Sequence, residues 1–503
     1  MAQYTNPGVY VTESPFATSV ATGPTTTAAA FLGTALRGPT TPVAVDSWNS
    51  FKAQFGDVSS AYELGYSVYH FFANGGRTAY VARVAGASAV AATVNVTGTF
   101  NGSAGTTLFK LNAKNVGTWG NGLSVTITAG LVAGNTPTFN VVAVYNGGEV
   151  ERWSELSLNP DDSRYVPTVI NNYSSYLSVS NLQNFTGATY IVTNATLTPS
   201  TGADGASLTD DTLAATQLAW STTLNSFNTI NGQLLFNLVG KSNSTIINSA
   251  INYVENRGNS FLIIDPLSTA TSVNTITSTI SAYSISSYAA VYYPMLEMSN
   301  PATSGTAALR TTYPGGAIAG LYTRVDTERG VSKAPAGYGY DVRNCFGLTT
   351  TFTESDIGNL YALNVNTMKA IPGAGVIVNG ARTLKKTDIT KYVPVRRSLN
   401  FIKANVDALT QSAVFEPNGE RLWAEISARV SNFLSSFWSQ GGLKGRSAAD
   451  AYYIVCDATN NTNSTIEQGE VHVEIGVSLQ APAEFIVINI SQFVGGNNVR
   501  ENL

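Results

Sequence analysis

The sequence predicts an α+β multidomain protein with a central α/β domain, an inserted all-β domain and extended strand arms at both ends. In residues 200–384, apolar β-branched runs alternate with helical periodicity, which is typical of an α/β sheet. Residues 87–199 are instead rich in short Thr, Val and Gly segments. Apolar strand-like segments also lie near both termini, where little sequence remains to cover them. These segments are expected to pair with another part of the chain or with another copy.

The composition is globular but poor in charge. The 503 residues are 44% hydrophobic and only 12% charged, and the formal net charge is −4. Non-specific nucleic-acid binding needs an excess of Lys and Arg, so this balance argues against direct nucleic-acid contact. No apolar run approaches the length of a membrane span, and the N-terminal residues lack the pattern of a secretory signal. We therefore expect no membrane insertion, and a weakly charged surface that suits dense packing of copies.

The first part of the chain predicts an arm followed by a β-α-α-β module. The module occupies residues 23–86, and Gly75-Gly76 is expected to end its second helix. Its predicted elements are a strand at 28–35, helices at 47–55 and 62–72, and a strand at 78–84. The arm occupies residues 1–22, and its strand consists of Pro7, Gly8, Val9, Tyr10 and Val11.

The middle of the chain divides into two regions of different character. Residues 87–199 predict an inserted all-β domain, because short alternating segments are separated by Gly-rich turns. Residues 200–384 predict a central α/β domain built on a β-α-β unit. Its predicted elements are strands at 233–239, 260–266 and 288–294 and a helix at 246–256.

The last part of the chain predicts an α+β region and a second arm. In residues 385–482, one amphipathic helix is expected behind Ser398 as its N-cap, and a longer one from Leu422 to Phe437. A strand at 452–457 and an alternating stretch from Val471 follow. The C-terminal arm occupies residues 483–503, and its strand contains Phe485, Ile486, Val487, Ile488 and Ile490.

A cluster of basic side chains stands out between residues 385 and 403. It is interpreted either as a solvated face or as a docking surface for an acidic partner, because complementary charge fixes register between assembling proteins. Its members are Lys385, Lys386, Lys391, Arg396, Arg397 and Lys403.

The sequence offers no converging catalytic or metal-binding groups. Only His70 and His472 could supply an imidazole base, and their surroundings favour structural or solvated roles. Cys345 and Cys456 are too few for a disulfide framework and fit folding in a reducing cytoplasm. No GxxxxGK[ST] phosphate loop is present, and the glycines of residues 315–320 are interpreted as turn or close-packing positions. We therefore expect no enzyme activity and no cofactor.

Two carboxylates, Asp204 and Asp265, could in principle form an acid–base pair. Local structure explains each of them more simply, because Asp204 precedes Gly205 in a predicted turn and Asp265 precedes Pro266 at a predicted strand end. We interpret both as structural.

Several motifs resemble contractile tail sheath proteins of bacteriophages. They follow the order of that family over nearly the whole chain. One departure is Ser332, where the family often has a bulky aromatic residue. The motifs are PGVYVTE at 7–13, GGRTAYVARV at 75–84, PGGAIAGLY at 314–322, RGVSKAPAG at 329–337 and PAEFIV at 482–487.

The resemblance implies a structural polymer of hexameric rings stacked around an inner tail tube, which contracts and drives the tube through the host envelope for genome delivery. It implies that terminal arms, here residues 5–13 and 483–491, complete a sheet in neighbouring copies. An inner domain built from both chain ends, residues 23–86 and 385–482, would face the tube and carry the basic cluster.

The resemblance also implies partners and a location. The expected partners are further copies of the chain, the tail tube protein, and baseplate and tail terminator proteins. The expected location is the virion tail, after assembly in the cytoplasm of the host bacterium.

Three other interpretations remain open at the level of sequence. The sheath of a bacterial contractile injection system or tailocin would work by the same physical principle, and the sequence hardly distinguishes it from a phage tail sheath. A secreted adhesin or glycan-binding protein is suggested by the Thr, Asn and Gly-rich β segments, although the absence of a signal argues against it. An enzyme has the least support, because no acid, base, nucleophile and metal ligands converge.

Overall fold

The computed structural model describes residues 27–133, 136–186, 188–303 and 309–484. The predicted arm strands around Val9 and Ile488 lie outside the described residues, so both assignments stay predictions. The described chain contains one eight-stranded sheet, two four-stranded sheets, a three-stranded sheet and a two-stranded sheet.

The N-terminal module contains the predicted strands and helices and one additional short strand. Its elements are β1 (Ala28–Gly33), β2 (Val43–Val45), α1 (Trp48–Phe55), α2 (Leu64–Ala73) and β3 (Ala79–Arg83). Ser47 begins α1, because its Oγ accepts a hydrogen bond from the Ser50 N–H. Gly75 follows α2 with a φ of 103°, a conformation that side-chain-bearing residues rarely adopt. The predicted helix stop at this glycine pair is therefore confirmed.

The inserted region folds into two antiparallel sheets that share one core. Its elements are β4 (Thr93–Phe100), β5 (Ser103–Ala113), β6 (Leu123–Ala133), β7 (Thr136–Tyr145), β8 (Gly148–Leu156), α3 (Val166–Tyr173), β9 (Leu177–Ser180), β10 (Tyr190–Val192) and β11 (Ala195–Leu197). The strand orders are β10-β4-β5-β9 and β11-β6-β7-β8, and Phe109 and Phe139 join the sheets with ring centroids 5.9 Å apart. The expectation of an all-β insertion is wrong at α3, where Val166, Val169 and Ile170 recur at helical spacing and are buried.

The central region continues the sheet that the N-terminal module begins. Its elements are α4 (Ala214–Ser226), β12 (Leu234–Leu238), α5 (Ser244–Arg257), β13 (Phe261–Ile264), α6 (Val273–Ser281), β14 (Ala289–Tyr293), β15 (Leu296–Ser299), β16 (Leu309–Thr312), α7 (Gly315–Arg329), β17 (Cys345–Leu348), α8 (Glu354–Ala362), β18 (Asn366–Ile371) and β19 (Gly375–Asn379). Strands β15 to β17 form the three-stranded sheet, and the others join β1 to β3 in the order β19-β18-β14-β13-β12-β1-β3-β2.

The register of β1 corrects the predicted division of the chain. Phe31 in β1 lies opposite Asn237 of β12 on one side and Val81 of β3 on the other, and both pairings are parallel. The predicted separation of residues 23–86 from residues 200–384 is therefore wrong, because their strands form one sheet. Sequence order concealed this, since the inserted region stands between the two halves.

Helices cover both faces of the eight-stranded sheet. Helices α2 and α7 share the core on one face, and α4 and α5 lie on the other. Helices α2 and α7 approach closely because α7 carries glycines at the contact. A Cβ at Gly316 would lie 2.1 Å from the Ser67 carbonyl oxygen, and one at Gly320 would lie 2.4 Å from the Phe71 carbonyl oxygen. The close-packing interpretation of the glycines at 315–320 is confirmed.

The C-terminal unit (residues 393–479) follows the sheet. Its elements are α9 (Val393–Thr410), α10 (Glu420–Ser439), α11 (Ala448–Ala451), β20 (Tyr452–Val455), α12 (Asn463–Glu467) and β21 (Glu474–Val477). The prediction of Ser398 as an N-cap is wrong, because α9 begins at Val393 with Pro394 in its first turn, where the fixed φ of proline fits. The alternating stretch from Val471 contains β21, which pairs with β20 of the same chain.

Asp265, at the carboxyl end of β13, ties the sheet to the first turn of α7. Its carboxylate accepts hydrogen bonds from the Gly315 N–H at 2.8 Å, the Gly240 N–H at 2.9 Å and Asn237 Nδ2 at 3.1 Å. An acceptor placed here satisfies a helix N-terminal donor and interacts favourably with the helix dipole. Burial raises the pKa of Asp265 to about 6, although these hydrogen bonds oppose the shift. Asp204 instead accepts from the Thr118 N–H, so the two carboxylates have separate structural roles.

We expect Asp265→Ala to lower the free energy of unfolding by about 2–4 kcal/mol, because the Gly315 and Gly240 N–H groups and Asn237 Nδ2 lose the carboxylate that accepts from them. Asp265→Asn retains one carbonyl oxygen and should cost less. The pKa in the folded chain lies above the ordinary value of 3.8, so folding takes up a proton between these values. The stability of the unmodified chain relative to Asp265→Asn should therefore rise as the pH falls from neutral toward 4. Urea unfolding of both proteins across this range measures the difference, and a pH-independent difference would contradict the assignment.

Candidate assembly surface

The C-terminal unit is a helix pair covered by a two-stranded sheet. Val430 and Leu434 on α10 are fully buried, and the apolar stripe on α10 that the sequence predicts packs toward α9. Ile475 and Val477 project from β21 onto the same core, as the period of two predicts. This packing leaves the outer side of α9 and the edges of the β20–β21 sheet at the surface of the unit.

Arg397 is the member of the basic cluster that joins this unit to the central region. Its side chain is fully buried and forms a bidentate ion pair with Asp326 of α7, with an Nη1–Oδ1 distance of 2.8 Å. Its guanidinium also lies 4.6 Å from the centroid of the Tyr322 ring. Although burial opposes the charge, Asp326 holds the pKa of Arg397 above its ordinary value. The expectation that Arg397 lies on a docking surface is therefore wrong, because its side chain points from α9 into the protein.

The remaining five basic residues fall into two groups. Lys385, Lys386 and Lys391 lie between β19 and α9, where Lys385 pairs with Asp388 at 2.6 Å and Lys386 is exposed. Arg396 and Lys403 lie on α9, where Arg396 donates to the Tyr288 hydroxyl at 3.2 Å and Lys403 is exposed. The basic cluster in the sequence thus corresponds to two neighbouring basic groups and to Arg397, which is buried at the contact with the central region.

An apolar groove runs along α9 beside the second basic group. It has a volume of about 330 Å³, and Arg396 and Lys403 line it together with apolar side chains. We call it the α9 groove. Its apolar lining consists of Leu399, Ile402 and Val406 from α9 and of Ile475 and Val477 from β21.

Glu484, the last described residue, is anchored at the root of the predicted C-terminal arm. Its carboxylate accepts two hydrogen bonds from Arg382, at 3.1 Å from Nε and 2.6 Å from Nη2. The Arg382 guanidinium lies 3.7 Å from the centroid of the Tyr361 ring. Burial alone would raise the pKa of Glu484, but the hydrogen bonds from Arg382 and Tyr361 produce a net lowering. No local sequence signal could reveal a pair separated by 102 residues.

We expect Glu484→Gln to lower the free energy of unfolding by about 1–3 kcal/mol near neutral pH, because it leaves the half-buried Arg382 without its anion. The lowered pKa means that the ion pair contributes above the ordinary pKa of Glu, 4.5, and that the contribution disappears as the pH falls below it. The difference between Glu484→Gln and the unmodified chain should thus shrink in acid. Denaturant unfolding at neutral and acid pH measures it.

Glu354→Gln is the matched control for this experiment. Glu354 pairs with Lys369 at the surface, where its side chain is 77% exposed. Exposed pairs contribute little, so this variant should unfold like the unmodified chain at both pH values. Equal effects of the two substitutions would show that the Arg382 contact is an ordinary surface pair.

The other groups considered from the sequence do not form a reactive site. His70 is fully buried, and burial lowers its pKa to about 4, so the ring is neutral at physiological pH. Burial raises the pKa of the Cys345 thiol to about 11, which leaves it protonated and unreactive. Within the described ranges, no three His, Cys, Asp or Glu side chains converge as metal ligands. Among the described helices, none is long and apolar enough to cross a membrane.

Comparison with known proteins places this surface within a recognised domain. Residues 385–493 match the family model of the phage tail sheath C-terminal domain. The tail sheath protein of Enterobacteria phage T4 is 25% identical over 174 residues, which cover 34% of this chain and 26% of that protein. The match thus spans about a quarter of the length of this curated relative. The resemblance to contractile tail sheath proteins is confirmed.

Solved sheath structures share the fold of nearly the whole chain. The sheath of the extracellular contractile injection system PVC, in its contracted state, is 20% identical with a TM-score of 0.57, covering 98% of this chain and 99% of that one. The sheath tail protein of Listeria innocua is 13% identical with a TM-score of 0.60, covering 91% and 97% of the two chains. The mixed helix and sheet fold described above is therefore the fold of contractile sheath subunits.

Proposed function

We propose that this chain is the structural subunit of a contractile phage tail sheath. It polymerises as stacked hexameric rings around a tail tube, and the polymer contracts to drive the tube through the host cell envelope for genome delivery. The observation that carries the proposal is the tail sheath domain match at residues 385–493, together with a sheath fold over the rest of the chain.

The sheath of a contractile injection system is the second candidate function. The specific observation that favours this candidate is the likeness to the PVC sheath, which covers 98% of this chain. Both candidates require the same kind of self-assembly, and both require a tube protein as partner. Baseplate and terminator proteins are further proposed partners, and the virion tail, assembled in the host cytoplasm, is the proposed location.

The small β20–β21 sheet is the proposed acceptor for the terminal arms of neighbouring copies. Among the described strands, β20 pairs with β21 alone, so its other edge is open. An isolated two-stranded sheet is marginally stable, and an added strand would satisfy the open edge. The arm strands at residues 7–11 and 485–490 supply the apolar, β-branched sequences that such pairing needs.

We expect a chain that ends at Glu484 to remain folded but to lose polymerisation, because it retains the Arg382 contact and lacks the arm strand. Negative-stain microscopy should show tubes or stacked rings for the full chain and none for the truncated one. Circular dichroism and thermal unfolding of the two proteins should agree, since the described core is intact. Tubes formed by the truncated chain would contradict the assignment of residues 485–490 as a linking strand.

The basic group before α9 is the proposed contact with the tube. We expect Lys385→Glu with Lys386→Glu to weaken co-assembly with the cognate tube protein more than it lowers subunit stability, because reversed charge opposes docking. Lys110→Glu with Arg152→Glu, in the inserted region, makes the same change in net charge and serves as the control. Co-sedimentation with tube at several salt concentrations measures the effect. Equal co-sedimentation of the two variants would identify these lysines as ordinary surface.

A further inference from the structure

The loop between α9 and α10 presents an aromatic side chain entirely to solvent. Phe415 is 102% exposed, and the preceding Val414 is 58% exposed. The backbone of Phe415 also has a φ of 69°, the left-handed region that disfavours bulky residues. None of the described residues covers the Phe415 ring, so this strained and exposed position points to a contact made elsewhere. We call residues 414–416 the knob.

The base of this loop is held firmly while its tip projects. The Asn418 Oδ1 accepts from Trp423 Nε1 at 2.8 Å, and Asn418 Nδ2 donates to the Glu470 carbonyl at 2.9 Å. The Glu416 N–H donates to the Ala413 carbonyl at 3.2 Å, and Pro417 fixes the chain direction that follows. The knob is therefore preorganised, which reduces the entropy that docking would cost.

The α9 groove has the chemistry that matches the knob. Leu399, Ile402 and Val406 give it an apolar wall, and its volume of about 330 Å³ accommodates a phenyl ring with a neighbouring aliphatic side chain. Two cations lie at the same groove, Arg396 and Lys403. The Arg396 guanidinium lies 4.4 Å from the centroid of the Tyr288 ring, and the side chain of Lys403 is exposed. An exposed cation beside an apolar wall favours a partner that brings an anion beside an apolar group.

We propose that the knob of one copy docks in the α9 groove of a second copy. The Phe415 ring enters the apolar part of the groove, and the Glu416 carboxylate beside it meets the cations of Lys403 and Arg396. This inference rests on the proposed self-assembly and names one of its contacts. Charge complementarity selects the occupant, because an aromatic ring next to a carboxylate matches an apolar groove next to two cations.

The knob and the α9 groove are different surfaces of one copy, so their contact can be made in two ways. In a symmetric dimer, each copy places its knob in the groove of the other, and assembly stops at two copies. In a head-to-tail contact, one knob and one groove stay free, and the assembly closes into a ring or continues as a helix. The proposed self-assembly requires the second arrangement, and the size of the assembly in solution separates the two.

Sedimentation velocity of the full chain tests the proposal. We expect Phe415→Ala and Lys403→Glu each to weaken self-association at least about tenfold, as loss of an aromatic or charged anchor does at protein interfaces. Phe346→Ala is the control, because Phe346 on β17 is also exposed, at 68%, and takes no part in the contact. Combining Glu416→Lys with Lys403→Glu in one chain should restore association, because the two charges are exchanged.

A mixing experiment separates the two surfaces. Phe415→Ala retains an intact groove and Lys403→Glu retains an intact knob, so the mixture should form pairs that neither variant forms alone. Association of Phe415→Ala equal to that of the unmodified chain, or no rescue by the charge exchange, overturns the contact. Hydrogen exchange of α9 identifies a different occupant of the groove. If α9 stays protected in Phe415→Ala but loses its protection in a chain ending at Glu484, the groove is occupied by the C-terminal segment. An unmodified chain that stays monomeric contradicts self-assembly itself.

Discussion

The buried ion pair between Arg397 and Asp326 fixes how the C-terminal unit sits against the central sheet. A charge pair removed from water adds little net stability, but breaking it by removing one partner typically costs about 3–5 kcal/mol. The pair therefore acts mainly on specificity, since an orientation of α9 that separates Arg397 from Asp326 leaves a buried charge uncompensated. Tyr322 closes the site from the side of α7. The α9 groove, the knob and the β20–β21 sheet all belong to the unit that this ion pair connects to the central sheet.

Other ion pairs of this charge-poor chain also hold distant segments in a defined arrangement. Ion pairs with half-buried or buried side chains connect segments that are far apart in sequence rather than neighbouring turns of one helix. Because few charges are present, most of the surface stays polar and neutral, and close packing of copies meets little like-charge repulsion. The pairs in question are Arg397–Asp326, Arg382–Glu484 and Arg310–Glu63.

The sequence predicts the elements better than the way they combine. The buried strands of the central region follow from uninterrupted apolar runs, and α1 follows from the helical pattern at 47–55. The sequence places the start of α9 too late, because Pro394 predicts a break unless it lies in a first turn. The sequence also places Arg397 on the surface, because a run of basic residues gives no sign of which one faces inward. Long-range pairing, as between β1 and β12, has no local signature, so the domain division was wrong.

The two proposed contacts between copies would have different roles in the proposed contractile polymer. Strand addition uses main-chain hydrogen bonds and reaches its partner through a linker, so it tolerates a change of orientation between copies. A ring held in a groove depends on orientation, because apolar packing is lost when the surfaces separate by a few ångströms. In the proposed polymer, linkage would then persist while docking is exchanged, and the lattice would rearrange without dissociating. The strained backbone of Phe415 fits the second kind, since a contact that must form and release needs a preorganised anchor more than an extensive interface.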